Sequence, residues 1–256
     1  MNCATPIENK ELLLYYQPIV SAKTNELTGF EALIRWQHPE KGMIGPNLFI
    51  PLAEETDLIL PMGKFIIKQA CRQLKQWHDL PDGADRLTMN INISAKQFMD
   101  GELTNIIMKE IKENSLPPES IKLEITESLL IQKAKTMVAK LSFLKKSGIN
   151  VVLDDFGTGY SSLSYIKDFQ IDGIKIDRSF VNDVDHDGGS AEIVKTILAL
   201  CKNLGLGVVA EGVERKSQLD ILQGLECEKI QGFYFSKPLD GKAAGKLIKN
   251  GFKVSL

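Results

Sequence analysis

The feature that most limits the possible folds is a regular alternation of short apolar, β-rich runs with segments of helical spacing. Eight runs have the strand signature, at residues 12–20, 28–36, 87–94, 121–127, 149–156, 172–177, 206–213 and 228–235. Helical spacing appears at residues 64–77, 105–115, 135–148 and 191–205. This alternation predicts a mainly parallel sheet, and eight repeats in 256 residues favour one α/β barrel of the TIM-like (β/α)8 type. An open doubly wound sheet, with its polar residues at one switch point, is the main alternative.

Composition excludes several classes of function. The chain has 31 basic and 33 acidic residues and a formal net charge of -2. It therefore has no excess of positive charge with which to bind duplex nucleic acid or an anionic membrane. The four cysteines form no CxxC pair, so neither a zinc knuckle nor a disulfide framework is indicated and a reducing compartment is expected. No apolar run approaches a membrane span, and no signal peptide is evident. We therefore expect a soluble, cytoplasmic domain.

Polar side chains recur within the predicted strands or at their C-terminal ends. The set comprises Glu31, Asn92, Glu124, Asp154, Asp155, Lys175, Glu211 and Gln231. In a barrel these strand ends converge on the face where active sites are built, so a ring of acids from several strands is predicted there. A single acid at a strand end is ordinarily a helix cap or a surface charge. Several such acids inside apolar runs favour a functional site.

Such a ring calls for a cation, because neighbouring carboxylates raise each other's pKa unless a positive charge neutralises them. The oxygen donors are Glu31, Asn92, Glu124 and Asp154. Ligand sets without histidine or cysteine favour magnesium or manganese over zinc or copper. Asp155, next to Asp154, allows a second ion, as in many phosphodiester-cleaving enzymes.

Lys175 is unusual because a lysine between apolar strand neighbours is costly unless it faces a charged partner. It could steady an attacking water or a phosphate charge, and Glu211 could act as general base. The residues thus predict metal-assisted phosphodiester hydrolysis. The "DFG" triplet occurs without the other protein-kinase motifs, so it does not indicate a kinase. The stretch "GTGYSS" has Ser162 where the dinucleotide-binding fingerprint needs its third glycine, so a phosphate-binding loop of that type is not favoured.

The chain resembles the EAL-domain family, the bacterial phosphodiesterases specific for cyclic di-GMP. The resemblance rests on the ordered motifs "YYQPIV", "GFEALIRW", "NINIS", "LEITES", "DDFGTGYSSL", "IKIDRSFV", "VVAEGVE" and "QGFYFSKPL". It covers about residues 8–242, with terminal extensions at 1–7 and 243–256. It implies a barrel with one antiparallel strand, a site for two Mg²⁺ or Mn²⁺ ions, and linear 5'-pGpG as product.

The resemblance also implies a role for each matching residue. The implied ligands of the first ion are Glu31, Asn92, Glu124 and Asp154, with Asp154 bridging to a second ion held by Asp155. Glu211 is the implied base, and Lys175 positions the water. The implied substrate contacts are Gln17, Leu33, Arg35, Gln231 and Pro238, and the implied supporting residues are Glu127, Asp177 and Glu214.

The resemblance further implies a homodimer linked to the loop "DFGTGYSSL" and attachment to a larger sensor or diguanylate cyclase protein, whose parent could be membrane-anchored. Three alternatives remain open. The chain could be a stand-alone enzyme, a catalytically silent domain that senses cyclic di-GMP, or a metal-dependent barrel that acts on an enolisable acid.

Overall fold

A computed structural model of the chain describes residues 6–81, 84–127, 129, 134–157 and 169–251. Its strands are β1 (Leu12–Ser21), β2 (Leu27–His38), β3 (Gly42–Ile44), β4 (Thr88–Asn92), β5 (Ile121–Thr126), β6 (Asn150–Phe156), β7 (Gly173–Ile176), β8 (Gly207–Ala210), β9 (Lys229–Gln231) and β10 (Leu239–Asp240). Its helices are α1 (Pro46–Glu55), α2 (Ile59–His78), α3 (Ala95–Met99), α4 (Leu103–Glu113), α5 (Ala134–Lys146), α6 (Arg178–Asn182), α7 (Gly188–Leu204), α8 (Lys216–Gly224) and α9 (Gly241–Lys249). Two 3₁₀ turns cover Ala84–Arg86 and Pro118–Ser120.

Eight of these strands close into a barrel, in the order β1, β9, β8, β7, β6, β5, β4, β2, with β2 returning to β1. From β2 round to β9 each neighbouring pair is parallel. The short strands β3 and β10 extend β2 and β1 at the rim. Each predicted strand run overlaps one barrel strand, so the α/β TIM-like barrel is confirmed and the open sheet is wrong.

Strand β1 runs antiparallel to both of its neighbours in the barrel, β2 and β9. The alternation of strand and helix alone predicts parallel neighbours, whereas the family resemblance implies this reversal. The physical reason is the connection: only residues 22–26 separate β1 from β2. A hairpin connection of that length can join antiparallel strands, but a parallel pair needs a crossover of a dozen or more residues.

The helices cover the barrel with their apolar faces. Helix α2 buries a stripe that ends in Trp77, whose ring centroid lies 4.9 Å from that of Tyr16 and 4.6 Å from that of Phe30. Helix α7 ends at Gly205 with φ +67°, the left-handed conformation that glycine adopts without steric cost. None of the described helices combines the length and the apolar character needed to cross a membrane.

Inside the barrel, residues two apart on a strand face the same side. Asn90 and Asn92 of β4 therefore both face the interior, as do Lys122 and Glu124 of β5. The upper member of each pair lies near the C-terminal end of its strand, and the lower member lies one layer below. This layering places polar side chains at two different depths.

Candidate active site

Lys175 of β7 is the centre of the site, and its side chain is 1% exposed. Its Nζ atom lies 2.6 Å from Oε1 of Glu211, 3.0 Å from Oε1 of Glu124, 3.3 Å from Oε2 of Glu31 and 3.4 Å from Oδ1 of Asp154. The carboxylates come from β2, β5, β6 and the residue that follows β8. The structure thus brings five of the predicted residues together and supplies the charged partners that a buried lysine requires.

The four carboxylates outnumber the single ammonium, and their pKa values reflect this imbalance. Burial favours the neutral form of Lys175, but the charges of Glu124 and Glu211 outweigh it and raise the pKa of Lys175 well above its usual range. Burial and the Glu31 charge raise the pKa of Glu124 well above its usual value. Burial also raises the pKa of Glu211 to about 7, although Lys175 opposes this shift. The metal-free site therefore holds protons that an isolated carboxylate would have lost.

Side-chain amides fix the orientation of Glu31. Asn92 donates from Nδ2 to Oε1 of Glu31 at 2.6 Å, and Gln231 donates from Nε2 to Oε2 at the same distance. Gln231 also donates to Oε1 of Gln17 at 3.2 Å. Burial disfavours ionisation of Glu31, yet the Lys175 charge and these amide hydrogen bonds lower its pKa. Glu31 is consequently the ionised anchor of the site.

Asn90, which the sequence analysis did not select, donates from Nδ2 to Oε1 of Glu124 at 2.7 Å. A signal was available, because Asn90 and Asn92 follow the strand period of two and so share the interior face. The sequence analysis selected residues at the strand ends. It missed Asn90 because Asn90 lies one layer deeper in the barrel than the predicted ring of acids.

The two adjacent aspartates point in different directions. The β6–β7 register shifts between Leu153 and Phe156, and within this irregularity Asp155 has φ +54°. The backbone N–H of Asp155 donates to Oδ1 of Asp154 at 3.0 Å, leaving Asp155 exposed while Asp154 is buried. Burial and the Asp154 charge raise the pKa of Asp155. A non-glycine residue in the left-handed region is strained, and such strain is found preferentially at functional sites.

The donors fit a hard divalent cation. One oxygen each of Asp154, Asp155 and Glu211 lies within 4.8 Å of the others. Oε2 of Glu124 is buried and has no hydrogen-bond partner among the described residues. An orphaned carboxylate oxygen beside an excess of negative charge is what a bound magnesium or manganese ion would satisfy.

A cleft of about 180 Å³ opens beside this cluster. Its lining includes the predicted residues Gln17, Glu31, Glu211, Glu214 and Gln231, together with the unpredicted Arg178, Gly212, Gly232 and Phe233. The predicted substrate contacts Leu33, Arg35 and Pro238 do not belong to this lining. Arg35 donates to the carbonyl of Ile34 at 2.8 Å, and its guanidinium carbon lies 5.9 Å from the Tyr15 ring centroid.

The predicted supporting residues make local contacts. Glu127 accepts from the backbone N–H of Gly157 at 3.3 Å, immediately after the two aspartates. Asp177 caps α6 by accepting from the N–H of Ser179 at 2.9 Å. The rest of the predicted dimer-linked loop, residues 158–163, lies outside the described residues.

Residues 2–238 match the model of the EAL domain. The chain belongs to the EAL domain family. It is 41% identical over 233 residues to the "bifunctional diguanylate cyclase/cyclic di-GMP phosphodiesterase MucR" of Pseudomonas aeruginosa, covering 91% of this chain and 34% of MucR. It is 44% identical over 233 residues to the "signaling protein YkoW" of Bacillus subtilis, covering 91% of this chain and 29% of YkoW. The chain thus spans about a third of the length of these relatives.

A solved structure described as "PaMucR phosphodiesterase, c-di-GMP complex" superposes with a TM-score of 0.89 at 40% identity. The similarity covers 93% of this chain and 96% of that one. The agreement of family and fold places this chain among proteins that include one named as a cyclic di-GMP phosphodiesterase.

Proposed function

We propose that this EAL domain hydrolyses cyclic di-GMP to linear 5'-pGpG in a reaction that requires Mg²⁺ or Mn²⁺. The observation that carries the proposal is the contact of Lys175 with Glu211 inside a ring of buried carboxylates. The similarity to MucR, which is named as a cyclic di-GMP phosphodiesterase, supports the choice of substrate.

The residues that would hold the metal ions are those of the carboxylate ring. Glu31, Asn92, Glu124 and Asp154 would hold one ion, and Asp154 with Asp155 would hold the second. Ions bound there would neutralise the phosphate charge and lower the pKa of the attacking water. The outward turn of Asp155 beside the buried Asp154 offers carboxylates on two sides.

The residues of the chain itself handle the proton and the charge. The oxygen of water attacks phosphorus, and the ionised Glu211 accepts the water proton as general base. The bond between phosphorus and the 3'-oxygen breaks, and that oxygen gains a proton to become the free 3'-hydroxyl of pGpG. The fixed ammonium of Lys175 orients the water and stabilises the negative charge that develops on the phosphoryl oxygens.

Substrate orientation would come from polar groups beside the cleft. Gln17 and Gln231 are buried and already hydrogen-bonded to each other, so little side-chain entropy is lost when they bind a ligand. Arg35 is half-buried in β2 and lies outside the lining of the cleft, and its planar set of N–H donors could bind phosphate oxygens.

The test is incubation of purified protein with cyclic di-GMP and either Mg²⁺ or Mn²⁺, followed by chromatographic separation of the nucleotides. Formation of 5'-pGpG is the expected result. Binding of cyclic di-GMP without product in either metal would replace this proposal with a sensor role.

A further inference from the structure

A second cavity, of about 150 Å³, lies at the opposite end of the barrel, around the N-terminal ends of β5 to β9. Glycines at the first positions of β7 and β8 contribute no side chain to it. A Cβ on Gly173 would lie 3.0 Å from the carbonyl oxygen of Gly207, a tight contact, so glycine suits the close approach of these strands. The space is large enough for one small polyatomic ion or a few water molecules.

The charged groups around this cavity do not balance. Lys229 pairs with Glu228 at 3.3 Å, and Lys145 pairs with Asp172 at 3.1 Å. The side chain of Lys122 makes no hydrogen bond or ion pair with any part of the chain that the structure describes, although it also lines the cavity. The charged residues of the lining itself are two lysines, Lys122 and Lys229, and one carboxylate, Asp172. Of the two lysines, Lys122 has no ion-pair partner among the described residues.

Among the described residues, the carboxylates of the upper site form their ion pairs with Lys175 and none with Lys122. Glu124, two residues further along β5, lies 3.0 Å from Lys175 and shares that ammonium with the rest of the ring. A largely buried ammonium without a partner favours binding of an anion.

Asn90 forms the inner wall of the cavity and is 1% exposed. Its Oδ1 atom is buried and has no hydrogen-bond partner among the described residues, while its Nδ2 atom donates to Glu124. An amide oxygen can only accept, so it needs a group that donates. A fully deprotonated anion could not supply that donor, but an oxyanion that keeps one proton could.

We propose that this cavity binds a small, singly charged oxyanion that carries a proton, as dihydrogen phosphate and bicarbonate do. Lys122 and Lys229 meet its charge, and its O–H donates to Oδ1 of Asn90. Because the other end of the Asn90 amide holds Glu124, occupation of this cavity also restrains a carboxylate of the upper site. The proposal does not depend on the nature of the substrate that the upper site accepts.

Calorimetric titration of the metal-free full chain at pH 7 and constant ionic strength tests this site, with inorganic phosphate in one arm and bicarbonate in the other. The variant Lys122→Met removes the unpaired charge at similar length, and Lys122→Arg retains it. The matched control is Lys109→Met, which alters an exposed lysine on α4. Lys229→Met gives a second test if Lys122→Met does not fold, as judged by circular dichroism.

We expect one site in the parent, at least tenfold weaker binding in Lys122→Met, and unchanged binding in Lys109→Met. Lys122→Arg should bind within a few-fold of the parent. The arm that binds more tightly identifies the oxyanion. Equal binding by the parent and Lys122→Met would assign the anion to another location and overturn the proposal, as would the absence of millimolar binding in both arms.

Discussion

The Nζ atom of Lys175 lies 2.6 Å from Oε1 of Glu211, yet the pKa of Glu211 is raised to about 7. An ammonium at that distance would ordinarily lower a carboxyl pKa by favouring the ionised form. Here the effect of burial on the pKa of Glu211 outweighs the effect of the ammonium. The same ammonium is also shared with three other carboxylates. Burial therefore holds the pKa of Glu211 near neutrality in the metal-free protein, while the contact keeps a cation beside the carboxyl group.

Replacing Glu211 with glutamine should lower turnover far more than affinity. General acid-base assistance is typically worth about 10² to 10⁴-fold, so the turnover number should fall by at least that range. Binding of cyclic di-GMP, measured by calorimetry, should stay within about tenfold of the parent, or about 1.4 kcal/mol. The control Glu226→Gln changes an exposed glutamate paired with Lys202 and should be silent. Full turnover in Glu211→Gln would show that the base is another residue.

Replacing Lys175 with methionine should destabilise the metal-free protein by about 3–5 kcal/mol at pH 8, because it leaves buried carboxylates without their common partner. The loss should be smaller at pH 5, where carboxylates such as Glu124 can take up protons instead. Urea unfolding at both pH values measures the effect. Lys216→Met, at an exposed ion pair with Asp220, is the control. An equal cost at both pH values would argue against carboxylate repulsion as the cause.

The raised pKa of Glu211 makes the stability of the metal-free protein depend on pH. Its pKa is about 7 when folded and 4.5 by reference, so between these values the folded state holds the proton that the unfolded state releases. This contribution is fully present below pH 4.5 and is lost as pH rises to 7, amounting to about 3 kcal/mol. Unfolding measured in chelator should show Glu211→Gln gaining stability relative to the parent over that window. A constant difference between the two proteins would contradict the shift.

Metal removal should abolish hydrolysis. Addition of Mg²⁺ or Mn²⁺ should restore it, whereas Ca²⁺ should not, because its larger and looser coordination does not hold a compact two-ion site. Asp154→Asn should cost more activity than Asp155→Asn, since a bridging ligand serves both ions. Activity assays over a metal titration test both statements. Full activity in chelator would exclude the metal-dependent mechanism.

Glycine at position 232 is required by close backbone packing beside Gln231. A Cβ there would lie 2.0 Å from the carbonyl oxygen of Val213, so Gly232→Ala should destabilise the protein by at least about 1–3 kcal/mol and lower activity. Gly224→Ala is the matched control, because a Cβ at that helical position meets nothing within 4 Å. It should be neutral or stabilising by up to about 1 kcal/mol. Thermal unfolding compares the two, and equal effects would exclude the backbone clash as the cause.

The inward-facing charged residues of the site could be predicted because alternate residues of a strand face the same side. Lys175 between apolar neighbours indicated a buried charge, and the structure provides its four carboxylate partners. Asn90 follows the same periodicity, but it lies one layer below the strand ends from which the site residues were predicted. Arg178 and Phe233 of the cleft were missed because surface residues carry no local signal that distinguishes a cleft from open solvent.

The amino-acid sequence by itself determined the number and order of the barrel strands, since apolar period and helical spacing are local properties of the chain. It also determined which acids face inward, because alternation along a strand is local too. Only the tertiary structure decided that Asp155 turns outward, since that depends on the register shift between β6 and β7. The same holds for the pKa of Glu211, because burial and charges from strands far apart in sequence set it together. Distances across a closed barrel depend on how all of its strands pack together, so no single stretch of the sequence determines them.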